Sequence, residues 1–140
     1  MVIEQFQGEY RWLSNFYPVR IKYGTLTFPS VEHFYVAMKT KDVVTRTNIA
    51  AMDEHSAKEV KRLGKKLGRP DWDTLKLSVM AFGLRQKFNQ EPFKSKLKAT
   101  DNMIIEEGNT WNDTFWGVDH HTRKGENNLG KLIMKIRAEL

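Results

Sequence analysis

The 140-residue sequence contains no cysteine and only four prolines. Without cysteine there are no disulfides, no thiolate zinc sites and no cysteine nucleophile, and an intracellular setting is favoured. No stretch is apolar enough to span a membrane, and the N-terminus has no basic segment followed by an apolar run. We therefore expect a cytoplasmic protein that does not enter a membrane and forms one domain over residues 1–140.

Several enzyme fingerprints are also missing from the sequence. It has no Gly-x-Ser-x-Gly elbow, no P-loop and no dinucleotide-binding motif, so no cofactor is implied. The run Asp119-His120-His121 suggests metal ligands. Adjacent histidines in regular structure do not readily bind one ion, however, and no second cluster completes a coordination sphere. We expect neither a metal nor a cofactor.

Positive charge is in excess, with 23 Lys and Arg against 17 Asp and Glu, a net charge of +6. Such a balance favours anionic partners, for example nucleotides, phosphosugars or nucleic acid. Much of the excess comes from residues 58–69. That run is typical of a solvated helix face, and an anion-binding surface is the alternative. Aromatic residues beside polar ones in apparent loops suit a site that stacks on a flat ring.

The order of hydrophobic patterns and turn signals predicts an α+β fold, mainly helical, with a small N-terminal β-sheet. Two long loops are expected, at 8–16 and 108–127. Strands are expected at 2–6, 19–23, 26–28 and 103–107, with a turn at Gly24-Thr25. Helices are expected at 31–39 after Ser30, from Asp42 to about 52, from Ser56 to about 67, at 72–88 after Asp71, at 91–99, and from Asn127 or Asn128 to the C-terminus.

The 72–88 helix has two apolar stripes on roughly opposite sides, which predicts a central helix packed from both sides. One stripe holds Trp72, Leu75, Val79 and Phe82, and the other holds Leu77, Met80, Leu84 and Phe88.

The 29–39 segment is predicted to be an amphipathic helix. Its core-facing side holds Val31, Phe34 and Met38, and a second strip holds residues that could take part in chemistry. At about 100° per residue, Glu32, Val36 and Lys39 share one strip of the helix. His33 is expected on the outer face, as a hydrogen-bonding residue near the helix start. A surface helix with an ordinary Glu and Lys is the simpler explanation.

Three further clusters mix amide, hydroxyl, carboxylate and aromatic groups. Each also has a plain structural explanation: a Ser/Asn turn, an Asx turn that ends in a packed Trp, and an ordinary helix start. The last can also present backbone N–H groups to a phosphate. The clusters are Leu13-Ser14-Asn15-Phe16, Asn112-Asp113-Thr114-Phe115-Trp116-Gly117, and Gly125-Glu126-Asn127-Asn128-Leu129-Gly130.

Taken together, the four clusters resemble the YbiA-like, or NADAR, N-glycosidase family in order and spacing, over nearly the whole chain. The resemblance implies a YbiA-like fold and cleavage of the N-glycosidic bond of a ribosyl compound. Known substrate classes of the family are phosphorylated riboflavin-pathway intermediates and ADP-ribose attached to guanine in nucleic acid. The expected partner is thus ADP-ribose or a nucleotide-like substrate, free or within nucleic acid. The oligomeric state is not predicted.

The resemblance carries over Glu32, Lys39, Trp72, Asp113 and Trp116 as site candidates. Cleavage of a ribose–nitrogen bond builds positive charge at the anomeric carbon, which a carboxylate stabilises. Glu32 suits that role, because the helix dipole favours its ionised form. Asp113 or Lys39 would assist the departing base. Alternatively, Lys39 would form a Schiff base with a ring-opened sugar, provided its pKa is depressed.

The remaining candidates would bind substrate. Trp72 and Trp116 would stack on a base. Asn15 and Asn127 would hold ribose hydroxyls. Arg85 would hold a phosphate. Phe16 and Gly117 are further substrate-binding candidates.

One position departs from the resemblance. Many family members have Gln where this chain has Val36, so an amide contact to substrate is missing, and the substrate should not be copied from the riboflavin-pathway members. Two alternatives to an enzyme stay open: a non-catalytic ADP-ribose or nucleic-acid binding module, and an interaction domain with a relic site.

Overall fold

The computed structural model describes residues 1–140 as an α+β fold with six α-helices, one 3₁₀ helix and three two-stranded ladders. The helices are α1 Val31–Ala37, α2 Val43–Ala50, α3 Ala57–Lys66, α4 Trp72–Phe88, α5 Phe93–Ala99 and α6 Asn128–Glu139, and the 3₁₀ helix is Gly8–Leu13. The strands are β1 Val2–Ile3, β2 Ile21–Tyr23, β3 Leu26–Phe28, β4 Ile104–Ile105, β5 Gly108–Asn109 and β6 Val118–Asp119.

The chain divides into two compact units. The first unit joins residues 1–14 to residues 88–140, and the second unit is residues 15–87. The second unit thus interrupts the first in sequence. No helix is both long and apolar enough to cross a bilayer.

The second unit begins with the predicted hairpin. β2 and β3 pair antiparallel, with Ile21 opposite Phe28 and Tyr23 opposite Leu26. Gly24 opens the two-residue turn with a φ of +58°, a left-handed conformation that glycine adopts without steric cost. The hairpin is therefore confirmed, although β2 begins two residues later than expected.

α1 is the most deeply buried helix of the second unit. It packs against α2, α3 and β3, and six of its seven residues are buried. Phe34 contacts Phe28 and Phe82, at ring-centroid distances of 5.9 and 5.4 Å. A Cβ at Gly83 of α4 would lie only 3.1 Å from the Phe34 ring, so this glycine permits the close approach of α4.

The bounds of α4 agree with the prediction, but its packing does not. Met80, Leu84 and Phe88 are buried. Leu77 and Phe82 are each 43% exposed. The expectation of a helix covered on both sides is therefore wrong at these two positions: part of each stripe stays in solvent, which side-chain periodicity cannot reveal.

In the first unit two short parallel ladders replace a single N-terminal sheet. β1 pairs with β4, with Val2 opposite Ile104, and β5 pairs with β6, with Gly108 opposite Val118. α6 packs on β4. The predicted 108–127 loop is therefore interrupted by two strands. These pairings join residues distant in sequence, which local patterns do not specify.

The predicted loop at 8–16 is wrong over residues 8–13, where the chain forms a 3₁₀ helix. Its turns are closed by bonds such as Ser14 N–H to the Arg11 carbonyl, at 3.0 Å. They bury Trp12, whose ring lies edge-on to Phe88 with centroids 6.4 Å apart. Apolar residues at 3₁₀ spacing look like isolated loop anchors in the sequence.

The predicted helix caps are confirmed in part. The side chain of Ser30 accepts from the backbone N–H of His33, and that of Asp42 from Thr45. Ser56 and Asn127 occupy N-cap positions, but neither side chain makes a capping bond.

Candidate active site

α1 presents Glu32 in its first turn. The Ser30 cap holds that turn, with 3.1 Å from His33 N to Ser30 Oγ. Glu32 donates its own backbone N–H to the carbonyl of Asn15, at 3.0 Å. The start of the helix is therefore tied to the Asn15 turn, and two predicted site residues are brought together. The helix dipole favours the ionised carboxylate at this position.

Lys39 lies two residues beyond the end of α1, in a turn closed by its N–H to the Val36 carbonyl, at 3.0 Å. Its Nζ donates to the carbonyl of Gly64 at 3.1 Å and lies 5.5 Å from the centroid of the Tyr35 ring. The amine is thus held between α3 and an aromatic side chain of α1.

The electrostatic surroundings of Lys39 depress its basicity. Burial lowers the pKa of the amine, the Glu32 carboxylate acts in the opposite direction, and the Lys76 ammonium lowers it further. A lysine with a lowered pKa has a larger neutral fraction, and the neutral amine is the form that acts as a nucleophile.

Trp72 begins α4 next to these groups. Its ring lies edge-on to Tyr35, with centroids 5.0 Å apart at 62°. Lys76 is one turn further along the same face of α4 and pairs with Asp73 at 3.3 Å. We refer below to the Lys39 cluster, which comprises Glu32, Tyr35, Lys39, Trp72 and Lys76.

The structure corrects one expectation for α1: His33 was expected on the outer face but is fully buried. Val36 is 1% exposed and lies beside Lys39 as expected, since both side chains approach Gly64. A Cβ at Gly64 would lie 3.0 Å from Val36 Cγ2, so Val36 faces α3. α3 covers a side of α1 that a lone amphipathic helix would leave in solvent. The expectation for His33 as a hydrogen-bonding residue near the helix start is confirmed.

The side chain of Asn15 has an unused acceptor. Its amide nitrogen lies 3.5 Å from Met80 Sδ, whereas the buried side-chain oxygen has no hydrogen-bond partner in the protein. A buried polar atom without a partner is costly, and a ligand donor such as a ribose hydroxyl would remove that cost. Phe16 and Arg85 are half-buried in the same unit, on the 15–17 turn and on α4.

The first unit holds Asp113 in an Asx turn. Asp113 Oδ1 accepts from the backbone N–H of Trp116 at 3.0 Å. Asn109 brackets the same residue: its oxygen accepts from Asp113 N–H at 3.1 Å, and its nitrogen donates to the Asp113 carbonyl at 2.9 Å. The cluster therefore has the geometry of its plain structural explanation, an Asx turn. Asn109 is not among the residues predicted for the site.

Gly117 follows in a crowded position. A Cβ there would overlap the side chain and the carbonyl of Glu107, so the chain needs glycine. Trp116 lies edge-on to Phe115, with centroids 4.9 Å apart. Glycine thus lets the Trp116 turn close tightly on the Glu107 backbone.

Asn127 is buried and already bonded at both ends of its amide. Oδ1 accepts from Glu107 N–H at 3.1 Å, and Nδ2 donates to the Ile105 carbonyl at 2.9 Å. Its backbone is left-handed, with a φ of +53°, a region asparagine tolerates. The amide therefore fastens the 105–107 segment to the start of α6.

The candidates divide between the two units. Asn15, Phe16, Glu32, Lys39, Trp72 and Arg85 belong to the second unit, whereas Asp113, Trp116, Gly117 and Asn127 belong to the first. Within the second unit the structure joins Glu32 to Asn15, and Lys39 to Trp72 through Tyr35.

The run Asp119-His120-His121, considered above as a set of metal ligands, forms a turn. Asp119 Oδ1 accepts from the backbone N–H groups of His121 and Thr122, at 2.9 and 2.8 Å. Residues 1–140 contain no group of three or more His, Asp or Glu side chains placed to hold a metal ion.

The sequence analysis also missed Lys87 as a buried residue. Its side chain is fully buried on α4, its Nζ lies 6.0 Å from the Tyr17 ring centroid, and burial lowers its pKa to about 7. The signal was present in the pattern, because Lys87 continues the spacing of Met80 and Leu84 along one helix face. A lysine there reads as solvated unless the burial of that face is known.

This chain is similar in sequence and in fold to proteins that have names. The model of the NADAR domain family matches residues 3–140. A riboflavin biosynthesis protein of Vibrio vulnificus is 36% identical over 131 residues, which are 92% of this chain and 35% of that protein. N-glycosidase YbiA of Escherichia coli is 35% identical over 136 residues, covering 94% of this chain and 82% of that protein.

The fold comparison agrees. The NMR structure of E. coli YbiA matches 99% of this chain and 83% of its own, with a TM-score of 0.83 and 31% identity. This chain spans about a third of the Vibrio protein but most of YbiA. An N-glycosidase of Nostoc punctiforme is 32% identical over 138 residues. By sequence and by fold, this chain belongs to the NADAR domain family.

Proposed function

We propose that the protein is an N-glycosidase that hydrolyses the ribose–nitrogen bond of a nucleotide-like substrate. Such a substrate is ADP-ribosylated guanine or a phosphorylated riboflavin-pathway intermediate. Two kinds of observation support the proposal. Relatives carry names of this activity, and the Lys39 cluster brings together a carboxylate, an amine whose pKa is lowered by burial, and aromatic rings. The observation that carries it is the placement of the Lys39 amine, which donates to the Gly64 carbonyl at 3.1 Å and lies beside the Tyr35 ring that contacts Trp72.

Glu32 would stabilise the positive charge that develops on the ribose. As the bond from the anomeric carbon to the base nitrogen breaks, the ribose takes on oxocarbenium character, which a nearby carboxylate stabilises. Water then adds its oxygen to the anomeric carbon, and the base keeps the bonding electron pair and gains a proton. Trp72 would stack on the base, and the unused oxygen of Asn15 would accept from a ribose hydroxyl.

Lys39 has two roles compatible with its surroundings. As an ammonium it would assist the departing base; as a neutral amine it would attack the aldehyde of a ring-opened sugar. Asp113 is the second carboxylate that we propose for the reaction. We also propose that Asn127 acts indirectly, by holding the backbone near Glu107.

The test follows release of free base. The protein is incubated with an oligonucleotide carrying ADP-ribosylated guanine and, separately, with the phosphorylated ribosylaminouracil of the riboflavin pathway, and products are separated by chromatography. Turnover of one substrate is expected, with a loss of about a thousandfold or more in Glu32→Gln. Glu59→Gln, in the first turn of α3 and exposed, is the matched control and should retain full activity.

Two results would overturn the assignment. The first is no turnover of either substrate by the folded protein. The second is equal rates for wild type and Glu32→Gln. Tight ADP-ribose binding without turnover would instead support a non-catalytic binding module.

A further inference from the structure

α3 carries an unbroken stripe of cations. Lys58, Lys61, Arg62 and Lys65 follow the spacing i, i+3, i+4, i+7, which puts them on one side of the helix. All four are exposed. We call these four residues the basic stripe. It spans about 10 Å, at 1.5 Å of helix rise per residue.

The buried face of α3 lies against the candidate active site. Val60 and Gly64 are buried, and Gly64 packs on Val36 of α1. The Gly64 carbonyl accepts the hydrogen bond from Lys39 Nζ at 3.1 Å. One short helix therefore carries the basic stripe and also supports the amine of the Lys39 cluster.

The stripe is solvent-exposed, as expected for a solvated helix face, but it carries charge of one sign only. Such faces usually alternate charges, because Glu and Lys at i, i+4 stabilise a helix and like charges destabilise it by a few tenths of a kcal/mol per pair. Glu59 is the single acidic residue of α3. Repeated cations on one side complement a polymer with regularly repeated negative charge.

We propose that the basic stripe binds the phosphodiester backbone of a single-stranded nucleic acid whose modified base occupies the Lys39 cluster. The proposal rests on the proposed function and selects the polynucleotide form of the substrate. The stripe offers one cation to each of up to four phosphates of the strand. A single strand is favoured because chemistry at a base needs that base outside the duplex stack.

The experiment compares one modification on two carriers. The fourfold variant Lys58→Gln, Lys61→Gln, Arg62→Gln, Lys65→Gln is assayed on a single-stranded oligonucleotide with ADP-ribosylated guanine and on free ADP-ribosylated guanosine. A tenfold or greater loss of kcat/KM is expected on the oligonucleotide only. The matched control replaces four exposed lysines of the first unit with Gln and should leave both rates unchanged. These are Lys98, Lys124, Lys131 and Lys135.

Salt gives an independent readout. With four phosphate contacts, wild-type affinity for the oligonucleotide should fall about 50-fold between 50 and 200 mM salt, and the fourfold variant should lose most of that dependence. Equal effects of the substitutions on both carriers, or no effect on the oligonucleotide, would overturn the proposal. So would a variant that loses binding to anionic phospholipid vesicles while keeping its rate on the oligonucleotide.

Failure of the proposed function can be told apart from failure of this inference. If wild type turns over neither carrier, the enzyme assignment fails. Binding of an unmodified fluorescent single strand then still tests the stripe. A tenfold weaker Kd in the fourfold variant, with the control variant unchanged, supports the stripe; equal Kd values for all three proteins contradict it.

Discussion

His33 Nε2 lies 2.8 Å from Ser56 Oγ, which joins the first turn of α1 to the start of α3. The Ser56 hydroxyl donates to the Asp53 carbonyl, so its oxygen accepts from Nε2–H. Burial lowers the pKa of His33 to about 4, so at neutral pH the ring carries one proton, on Nε2, and Nδ1 accepts from the Ser30 hydroxyl at 2.6 Å. Both ring nitrogens of the buried imidazole therefore have a hydrogen-bond partner.

Acid should weaken the fold through His33. Burial lowers its pKa from 6.5 to about 4. Unfolding therefore takes up a proton between these values, and stability, complete above pH 6.5, is lost as pH falls towards 4. We expect the free energy of unfolding in urea to drop by about 2 kcal/mol from pH 7 to pH 4.5.

Two variants assign this loss to one histidine. His33→Gln should flatten the pH dependence over that range, whatever its effect on absolute stability. His55→Gln, at an exposed position, should keep the wild-type profile. An unchanged slope in His33→Gln would contradict the assignment.

Lys76 should tune the protonation of Lys39. Because the Lys76 ammonium lowers the pKa of Lys39, Lys76→Gln should raise that pKa, and Lys76→Arg should leave it near the wild-type value. Glu32→Gln should move it in the opposite direction, since the carboxylate favours the ammonium. NMR titration of ¹³C-labelled lysine side chains measures these shifts without an activity assay. A Lys39 pKa that is the same in Lys76→Gln and wild type would refute the coupling.

Lys87 should make the protein more stable at alkaline pH. Its pKa falls from 10.5 to about 7 on burial, so unfolding takes up a proton between these values. Stability should therefore rise by about 2 kcal/mol from pH 7.5 to pH 9.5. Lys87→Met, of similar length and apolar, should remove most of the rise, whereas the exposed Lys131→Met should not. Denaturant melts at the two pH values measure the difference.

Asp113 allows structure and chemistry to be separated. Asp113→Asn keeps a side-chain oxygen for the Trp116 N–H but removes the charge, so stability should stay within about 0.5 kcal/mol of wild type. If the carboxylate acts in catalysis, kcat should fall at least a hundredfold. Asp113→Ala removes the turn bond as well and should cost about 1 kcal/mol of stability. Wild-type kcat in Asp113→Asn would leave the residue a purely structural role.

The features that the sequence predicts correctly are those that depend on neighbouring residues: helix bounds, turns and caps. α4 was placed at its exact bounds because its stripes are long and regular. The Gly24 turn and the Ser30 cap were also correct, since each depends on one residue and its neighbours. The family resemblance indicates Lys39 and Trp72, and both contact Tyr35 in the structure.

The sequence failed where a distant element decides the outcome. Val36 lies on the same helical strip as Glu32 by angle, but α3 covers it, and nothing within 29–39 signals that contact. Lys87 is likewise buried by residues outside its own helix, which the pattern of α4 does not indicate. Asn109 was missed because its partners, Asp113 and Glu107, identify it only once the turn is folded.

The parallel pairing of β1 with β4 has a consequence for synthesis on the ribosome. Ile3 must pair with Ile105, so the N-terminal strand leaves the exit tunnel about a hundred residues before its partner. At 5–20 residues per second, that edge stays open for roughly 5–20 seconds. During this interval residues 15–87 emerge as one continuous segment and can close their own core. A nascent-chain chaperone that shields an apolar strand edge would therefore act on Val2 and Ile3 before β4 is available to pair with them.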